Sequence, residues 1–339
     1  MKPLHIIPYL FLSSLVFSSC NKNGSGPSPI PPIVTKDTLS AGWTKTVIPA
    51  PNAGIVLLDV FFKDALTGYT MSDSICFKST DGGITWTQLS PLFSHGINMD
   101  VTNDGKLFMA ASNKLYRSAD AGASFSITTG SVGTFYDISF IDNNNGFVIS
   151  TNTLQQTADG GLTWPQVSPH TGLTINQNTY NTCLFLNATT GWVGMGNDIY
   201  RSSGNINNWT KSIFNGQAPT DSTLNLSAVS ASVVYAACSA GTIYKSTDGG
   251  TSFSPIANLP KGPNGNSGYG TGGFPGLEFI DANTGYACFS NKIFKTTDGG
   301  NTWIQVVSLA NSYFIEVNFF DAGHGWACTT KGEILRFAP

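Results

Sequence analysis

The stretch Lys78-Ser79-Thr80-Asp81-Gly82-Gly83-Ile84-Thr85-Trp86 returns four more times in recognisable form. The copies are RSADAGASF at 117–125, QTADGGLTW at 156–164, KSTDGGTSF at 245–253 and KTTDGGNTW at 295–303. A worn copy, RSSGNINNW, occupies 201–209, with Gly204 where the others carry aspartate. An aspartate followed closely by glycine reads as a turn. The carboxylate can accept from backbone N–H groups of its own turn, and glycine tolerates positive φ. Thr85 is placed to tie that turn and Trp86 to pack beneath it.

A second pattern, aromatic-x-Asp-x-x-x-Gly, precedes each copy. It runs from Phe62 to Gly68, Phe140 to Gly146, Phe279 to Gly285 and Phe319 to Gly325, with Asn187 replacing the aspartate between Phe185 and Gly191. Val101 and Val229 are weaker counterparts. From this position to the turn position the distance is always 19 residues: 62 to 81, 101 to 120, 140 to 159, 185 to 204, 229 to 248 and 279 to 298. Constant spacing marks one supersecondary module repeated. Within it, alternation and turn signals predict four short strands. Strand a ends at the aromatic and strand b follows the glycine (GYTM, GFVIS, GWVGM, GYACF). Strand c ends before the aspartate, and strand d starts at the Trp or Phe (TWTQL, TWPQV, TWIQV). Four-stranded antiparallel units of this length, repeated, predict an all-β protein, a β-propeller.

The chain ends supply the blade number. The seventh unit reaches Gly332-Glu333-Ile334-Leu335-Arg336-Phe337, which is strand c, and has no strand d after it. Gly42-Trp43-Thr44-Lys45-Thr46-Val47 looks like a strand d with nothing before it. The expectation is seven blades over 41–339, with the N-terminal strand completing the last blade and leaving no open seam.

The Asp-Gly-Gly-x-Thr-Trp turn resembles the Asp-box of the BNR repeat family. Asp-boxes occur in sialidases and other propellers, where they are structural. The resemblance therefore implies that Asp81, Asp120, Asp159, Asp248 and Asp298 are scaffold, not catalytic. Taken with the Phe-x-Asp-x-x-x-Gly units, the chain looks most like the photosystem II assembly and stability factors and their non-photosynthetic bacterial relatives. That resemblance covers all seven units. It implies a seven-bladed propeller that scaffolds or helps assemble other proteins, without carrying the photosystem role itself.

Composition agrees with an all-β chain: Gly, Phe, Tyr and Trp are plentiful and charge is sparse. A net charge of −3 gives no reason to expect nucleic acid. Lys2, a mostly apolar run over 4–17 and the small residues before Cys20 resemble a bacterial lipoprotein signal, in which Cys20 becomes the lipidated first residue. An ordinary secretory signal is the alternative; the run is too short to span a bilayer. The organisation expected is a signal over 1–19, a lipidated cysteine with a Gly/Ser/Pro tether over 20–40, and the propeller. Asn21-Lys22-Asn23 carries no acidic cluster of the kind associated with lipoprotein export to the surface in Bacteroidetes-like bacteria. The periplasmic side of the envelope is favoured, with surface exposure left open. Cys76, Cys183, Cys238, Cys288 and Cys328 are odd in number, arguing for buried free thiols over a disulfide framework. No Cys/His spacing suggests a metal, and no cofactor is expected.

Enzyme readings fare poorly. A sialidase needs three convergent arginines, whereas Arg117, Arg201 and Arg336, the only three, fall at about one repeat position on different blades. No GxSxG pattern appears. Binding is the expected activity. The connections from strand d to the next strand a vary in length, and the three longest precede blades 4, 5 and 6. They place His170, Tyr180, Tyr269 and Phe274 on one face, where long loops on a rigid scaffold bind ligands. Strand a begins on that face. Just before its aromatic stand Asp59, Asn98, Asp100, Asp137, Thr182, Glu278 and Glu316, which predicts a polar, acidic mouth to the central channel. Carboxylates crowded there should have raised pKa values. The leading reading is a protein-binding envelope lipoprotein. Glycan recognition is the alternative, and a sialidase-like glycoside hydrolase stands third.

Overall fold

The computed structural model describes residues 36–49, 51–90, 93–131, 133–151, 153–167, 172–173, 181–216, 219, 222–260 and 275–339. Among them there is no helix; there are seven sheets. Blade 1 consists of Leu57–Phe62, Gly68–Ser72, Cys76–Ser79 and Thr87–Gln88 as strands a to d. Blade 2 consists of Gly96–Val101, Leu107–Ala111, Lys114–Ser118 and Ser126–Ile127. Blade 4 uses Asn181–Asn187, Thr190–Met195, Asp198–Ser203 and Thr210–Lys211, and blade 5 uses Thr223–Ala228, Val234–Cys238, Thr242–Ser246 and Ser252–Asn258. Blade 6 uses Gly276–Phe279, Gly285–Phe289, Lys292–Thr296 and Ile304–Ser308. In the seventh sheet Phe314–Asp321, His324–Thr329 and Glu333–Phe337 are joined by Trp43–Val47, which pairs antiparallel with the last of them, Trp43 opposite Phe337.

Blade 3 departs from the expectation. Phe135–Phe140, Gly146–Ser150 and Leu154–Thr157 pair, but TWPQV forms no strand d. Pro165 falls where the ladder needs an N–H. What remains is a bridge between Gln155 and Gln166, with Gln156 N donating to Pro165 O at 3.0 Å. Gln155 compensates through its side chain, Nε2 donating to Trp164 O at 2.8 Å. Two blades gain a fifth strand that the repeat does not announce. Ile213–Phe214 pairs parallel with strand d of blade 5, and Thr38–Leu39 pairs antiparallel with strand d of blade 6.

The apolar interior is divided into seven clusters, each spanning two neighbouring blades. A single blade therefore buries neither face alone. Where strand a ends in an aromatic, on blades 1, 3, 4, 6 and 7, that ring sits in the wedge. Phe62 stacks on Trp326 of blade 7 at 3.6 Å and meets Trp86 of its own blade edge-on at 5.8 Å. Phe279 does the same between Tyr235 at 3.5 Å and Trp303 at 5.9 Å. Phe140, Phe185 and Phe319 stack on Phe108, Phe147 and Tyr286. These contacts explain the glycine of the second pattern, which is needed for room. A Cβ on Gly191 would lie 2.2 Å from the Phe185 ring, and one on Gly325 would lie 2.1 Å from that of Phe319.

The inner strands touch in cyclic order, blade 7 against blade 1 included, and so ring a central channel. Strands a start, strands b end and strands d end on one face, here the upper. The Asp-box turns and the a-to-b turns share the lower. Replacing Gly191 by Ala is expected to cost about 1–3 kcal/mol by overpacking. Gly323→Ala, whose Cβ meets only Asp321 Oδ1 at 3.4 Å, is expected to be near neutral. Urea unfolding of the two variants checks the difference.

Candidate functional site

The five Asp-boxes close on themselves. In blade 1, Asp81 Oδ1 accepts from Ile84 N at 3.1 Å and Thr85 N at 2.9 Å, Oδ2 accepts from Thr85 Oγ1, and Ser79 Oγ donates to Oδ1 at 2.8 Å. Asp120, Asp159, Asp248 and Asp298 repeat the pattern with Ser124, Thr163, Ser252 and Thr302. For Asp81 and Asp159 burial opposes ionisation, but these hydrogen bonds hold the carboxyls at about 2. The worn copy keeps the turn by other means. Asn205 Oδ1 accepts from Asn207 N at 3.0 Å, and Trp209 Nε1 donates to Ile206 O at 2.8 Å.

Each box also receives the preceding blade. Trp326 Nε1 donates to Gly82 O at 2.8 Å, Arg117 Nε to Gly160 O at 2.7 Å, and Lys245 Nζ to Gly299 O at 3.0 Å. On blades 1, 2 and 5 the base ahead of the aspartate thus locks the next blade. Arg117, Arg201 and Arg336 all stand opposite strand b aromatics, on blades 2, 4 and 7. Arg117 and the lysines here are structural, and the three arginines are distributed around the ring.

The channel is different. Its upper end widens into a cavity of about 410 Å³. The walls are residues of the inner strands: Leu58, Ile97, Tyr136, Leu226 and Ile315 on the apolar side, with Asn98, Asn181, Thr182, Thr223 and Asn225 among the polar groups. Asp137 and Glu316 face it as well. Below lies a second space of about 290 Å³ that adds Asp59, Asp100 and Glu278 and shares Asn98, Cys183, Asn225 and Glu316 with the first. The five acids expected from sequence therefore line one continuous channel. No Lys, Arg or His is among the described residues lining either space. His170, Tyr180, Tyr269 and Phe274 lie outside the described residues, as does Cys20.

These acids also hold the ring together, which their positions in sequence did not reveal. Asp59 Oδ2 accepts from Met99 N of blade 2 at 2.8 Å, and Asp100 Oδ2 from Phe140 N of blade 3 at 2.6 Å. Asp137 Oδ2 accepts from Cys183 N and Thr182 Oγ1 of blade 4, both at 2.8 Å. Glu278 Oε2 accepts from Phe319 N of blade 7 at 2.6 Å. Asn318 and Ser227 do the same for Phe62 N and Phe279 N. Glu316 is the exception. It skips blade 6 and accepts from Asn225 Nδ2 of blade 5 at 3.0 Å. Gly276 makes room for this reach, since a Cβ there would sit 2.6 Å from Glu316 Oε1. Asn98 Oδ1 is buried in the wall and accepts no hydrogen bond.

Burial raises Asp59, Asp100 and Glu278 to about 7 and Asp137 to about 6, and it pushes Glu316 well above its usual range. Neighbouring carboxylates add to this: Asp137 and Asp100 act on Asp59, and Asp59, Glu278 and Asp137 act on Glu316. Among the described residues no group of three His, Cys, Asp or Glu is arranged to hold a metal ion. The five remaining cysteines are buried and none forms a disulfide. Cys183 lines the channel, where burial and Asp137 raise its thiol well above the usual range.

Residues 122–266 match the family model described as photosynthesis system II assembly factor YCF48. Over that segment, less than half of the chain, the sequence is similar to that assembly factor, and the fold is a β-propeller. The structure of YCF48 bound to a D1 peptide is similar at 16% identity and a TM-score of 0.65, over 88% of this chain and 96% of that one. YCF48 from Cyanidioschyzon merolae is similar at 18% identity and 0.64, over 88% and 99%. A GH74 enzyme from Niastella koreensis also shares the fold, at 16% identity and 0.58, over 84% of this chain and 43% of that one. Among curated proteins none matches the sequence. At these identities the solved structures speak for the fold alone.

The channel acids titrate higher folded than unfolded, so the folded state binds more protons between about pH 4 and 7, and stability falls as pH rises through that window. The Asp-box carboxylates are depressed, so their contribution is lost as pH falls from about 4 towards 2. Stability is expected to peak between pH 4 and 5. Asp100→Asn, which keeps an oxygen for Phe140 N, should flatten the alkaline limb; urea midpoints at pH 5 and pH 8 check this.

Proposed function

We propose that this protein is a lipid-anchored, non-enzymatic propeller that holds or helps assemble another protein in the bacterial cell envelope, and that it binds that protein at the upper mouth of its channel. The observation that carries the reading is the 410 Å³ cavity, which opens on the face of the variable d-to-a connections while the lower face repeats the same closed turn. Kinship with an assembly factor, and the similarity to YCF48 bound to a peptide of another protein, point to a polypeptide ligand. Lipidation at Cys20 and the periplasmic setting come from the sequence signal and belong to this proposal.

The bound state of the carboxyls supports a non-enzymatic role. Hydrolysis of a glycoside asks for two carboxyl groups free to face a substrate. Here both oxygens of Asp100 accept backbone N–H groups, from Val101 and Phe140, and Glu316 is tied to Val317 N and Asn225. They are committed to the scaffold.

A photo-cross-linking amino acid at Ile97, in the mouth, is expected to capture a protein in living cells. The same group at Ile84, exposed on the lower face, is expected to capture little. Equal capture from both positions defeats the placement of the site. Polysaccharide in place of protein on Ile97 shifts the reading to glycan recognition.

A further inference from the structure

The two ends of the described chain leave the propeller on opposite faces. Strand Thr38–Leu39 lies along the rim of blade 6, Thr38 opposite Ser308 and Leu39 opposite Val307. Ser308 is the last residue of strand d, so the chain before Thr38 emerges at the upper face. Asp37 fixes this exit. Its Oδ1 accepts from Ala310 N at 2.9 Å, in the connection that leads to the channel strand of blade 7, and its Oδ2 pairs with Lys45 Nζ at 2.5 Å. Lys45 in turn binds Glu333 at 3.0 Å. The other end runs down strand c of blade 7. Phe337 lies opposite Gly325, where strand b begins, and Ala338 N donates to Gly42 O at 2.8 Å, so Pro339 ends on the lower face.

The channel mouth opens on the upper face, the one from which the N-terminal segment departs. Lys36 lies sixteen residue steps after Cys20. A chain of that length reaches about 55 Å when fully stretched and about 22 Å as a flexible coil. A lipid on Cys20 thus keeps this rim close to the bilayer. The mouth itself disfavours an anionic surface, because the Asp137 carboxyl faces it, Glu316 beside it gains its charge as a cation approaches, and no basic side chain is among its described lining residues. Asp59, Asp100 and Glu278 extend that character downward, and Asn98 Oδ1 offers an unused acceptor in a wall common to both spaces. A charge deficit of this kind is complemented by a cationic side chain.

From this geometry we infer that the channel mouth is presented to the membrane and receives a lysine- or arginine-bearing segment that a membrane-embedded partner exposes at the bilayer surface. The inference rests on the lipid-anchored, protein-binding reading above, and adds the facing and the chemistry of the segment. Membrane proteins carry such segments beside their spans. The mouth meets one without turning the propeller over.

The test uses the full-length lipidated protein in neutral phosphatidylcholine vesicles, with lipid on Cys20 verified by mass spectrometry. Dye is placed on Asn113→Cys, in the upper b-to-c turn of blade 2, or on Ala123→Cys, in the lower turn of the same blade; both positions are exposed and the native thiols are buried. Energy transfer to a lipid-borne acceptor is expected to be at least twofold greater from position 113. Moving the lipid attachment to a linker after Pro339 should reverse the order. Equal transfer, or the opposite order, overturns the facing. Absence of lipid on Cys20 defeats the anchored reading and this inference with it.

In the second arm, vesicle-bound protein is titrated with a Gly/Ser peptide carrying two lysines and with the same peptide carrying two glutamates. At least tenfold tighter binding of the lysine peptide is expected. That preference should fall severalfold in Asp137→Asn/Glu316→Gln, which retains oxygen acceptors for the neighbouring blades, with circular dichroism confirming that the variant is folded. No preference, a preference for glutamate, or an unchanged preference in the folded variant overturns the chemistry.

Discussion

The whole architecture depends on an aromatic ring wedged between blades. Phe62, Phe140, Phe185, Phe279 and Phe319 each stack face-on against an aromatic of the preceding blade. In four of the five wedges a Trp of the same blade meets the Phe edge-on, and in the last it is Trp43, brought from the start of the chain. Large aromatic area and the preference for stacked and edge-on geometry make this contact worth more than its burial alone. Because every apolar cluster is shared by two blades, no blade is stable by itself, and the ring is the cooperative unit. The glycines that look like flexible punctuation in the second pattern are the space in which these rings sit.

Polar contacts repeat the same logic of giving to the neighbour. On the lower rim, strand c bases and strand b aromatics donate to the carbonyl of the next Asp-box. At the axis, side chains of one strand a accept from the backbone of the next. The axial series has a cost: five carboxyl groups are gathered away from bulk solvent, with no Lys, Arg or His among the described residues lining the channel. Their raised pKa values express that cost, and the same feature gives the mouth its chemical character. Scaffold and candidate site are therefore built from the same side chains here, whereas the Asp-box aspartates serve the scaffold alone.

Much of this was legible in the chain. A spacing of 19 residues, held through six units, admits only a rigid repeated module, and period-2 alternation makes that module a sheet. The same repeat placed Asp59, Asp100, Asp137, Glu278 and Glu316 just before the aromatic of strand a, the strand read as leading from the channel mouth. Local chemistry determined the Asp-box turns outright, since every partner of Asp81 lies within four residues of it. Pro165 was visible too, and its missing N–H accounts for the strand that blade 3 lacks.

Other features needed the folded molecule, because they join residues far apart in sequence. The extra strands Thr38–Leu39 and Ile213–Phe214 are two-residue pairings with no periodicity of their own. No pattern tells that Asp59 serves Met99, or that Glu316 crosses blade 6 to Asn225 through the space left by Gly276. The sequence alone determined that the chain is a ring of repeated sheets with acidic inner strands, because those are properties of short-range periodicity. Only the tertiary structure decided that the acids lock neighbouring blades, that a cavity opens above them, and that the two ends of the described chain depart from opposite faces. Those depend on closing the ring, and ring closure brings together residues whose separation along the chain carries no local signal.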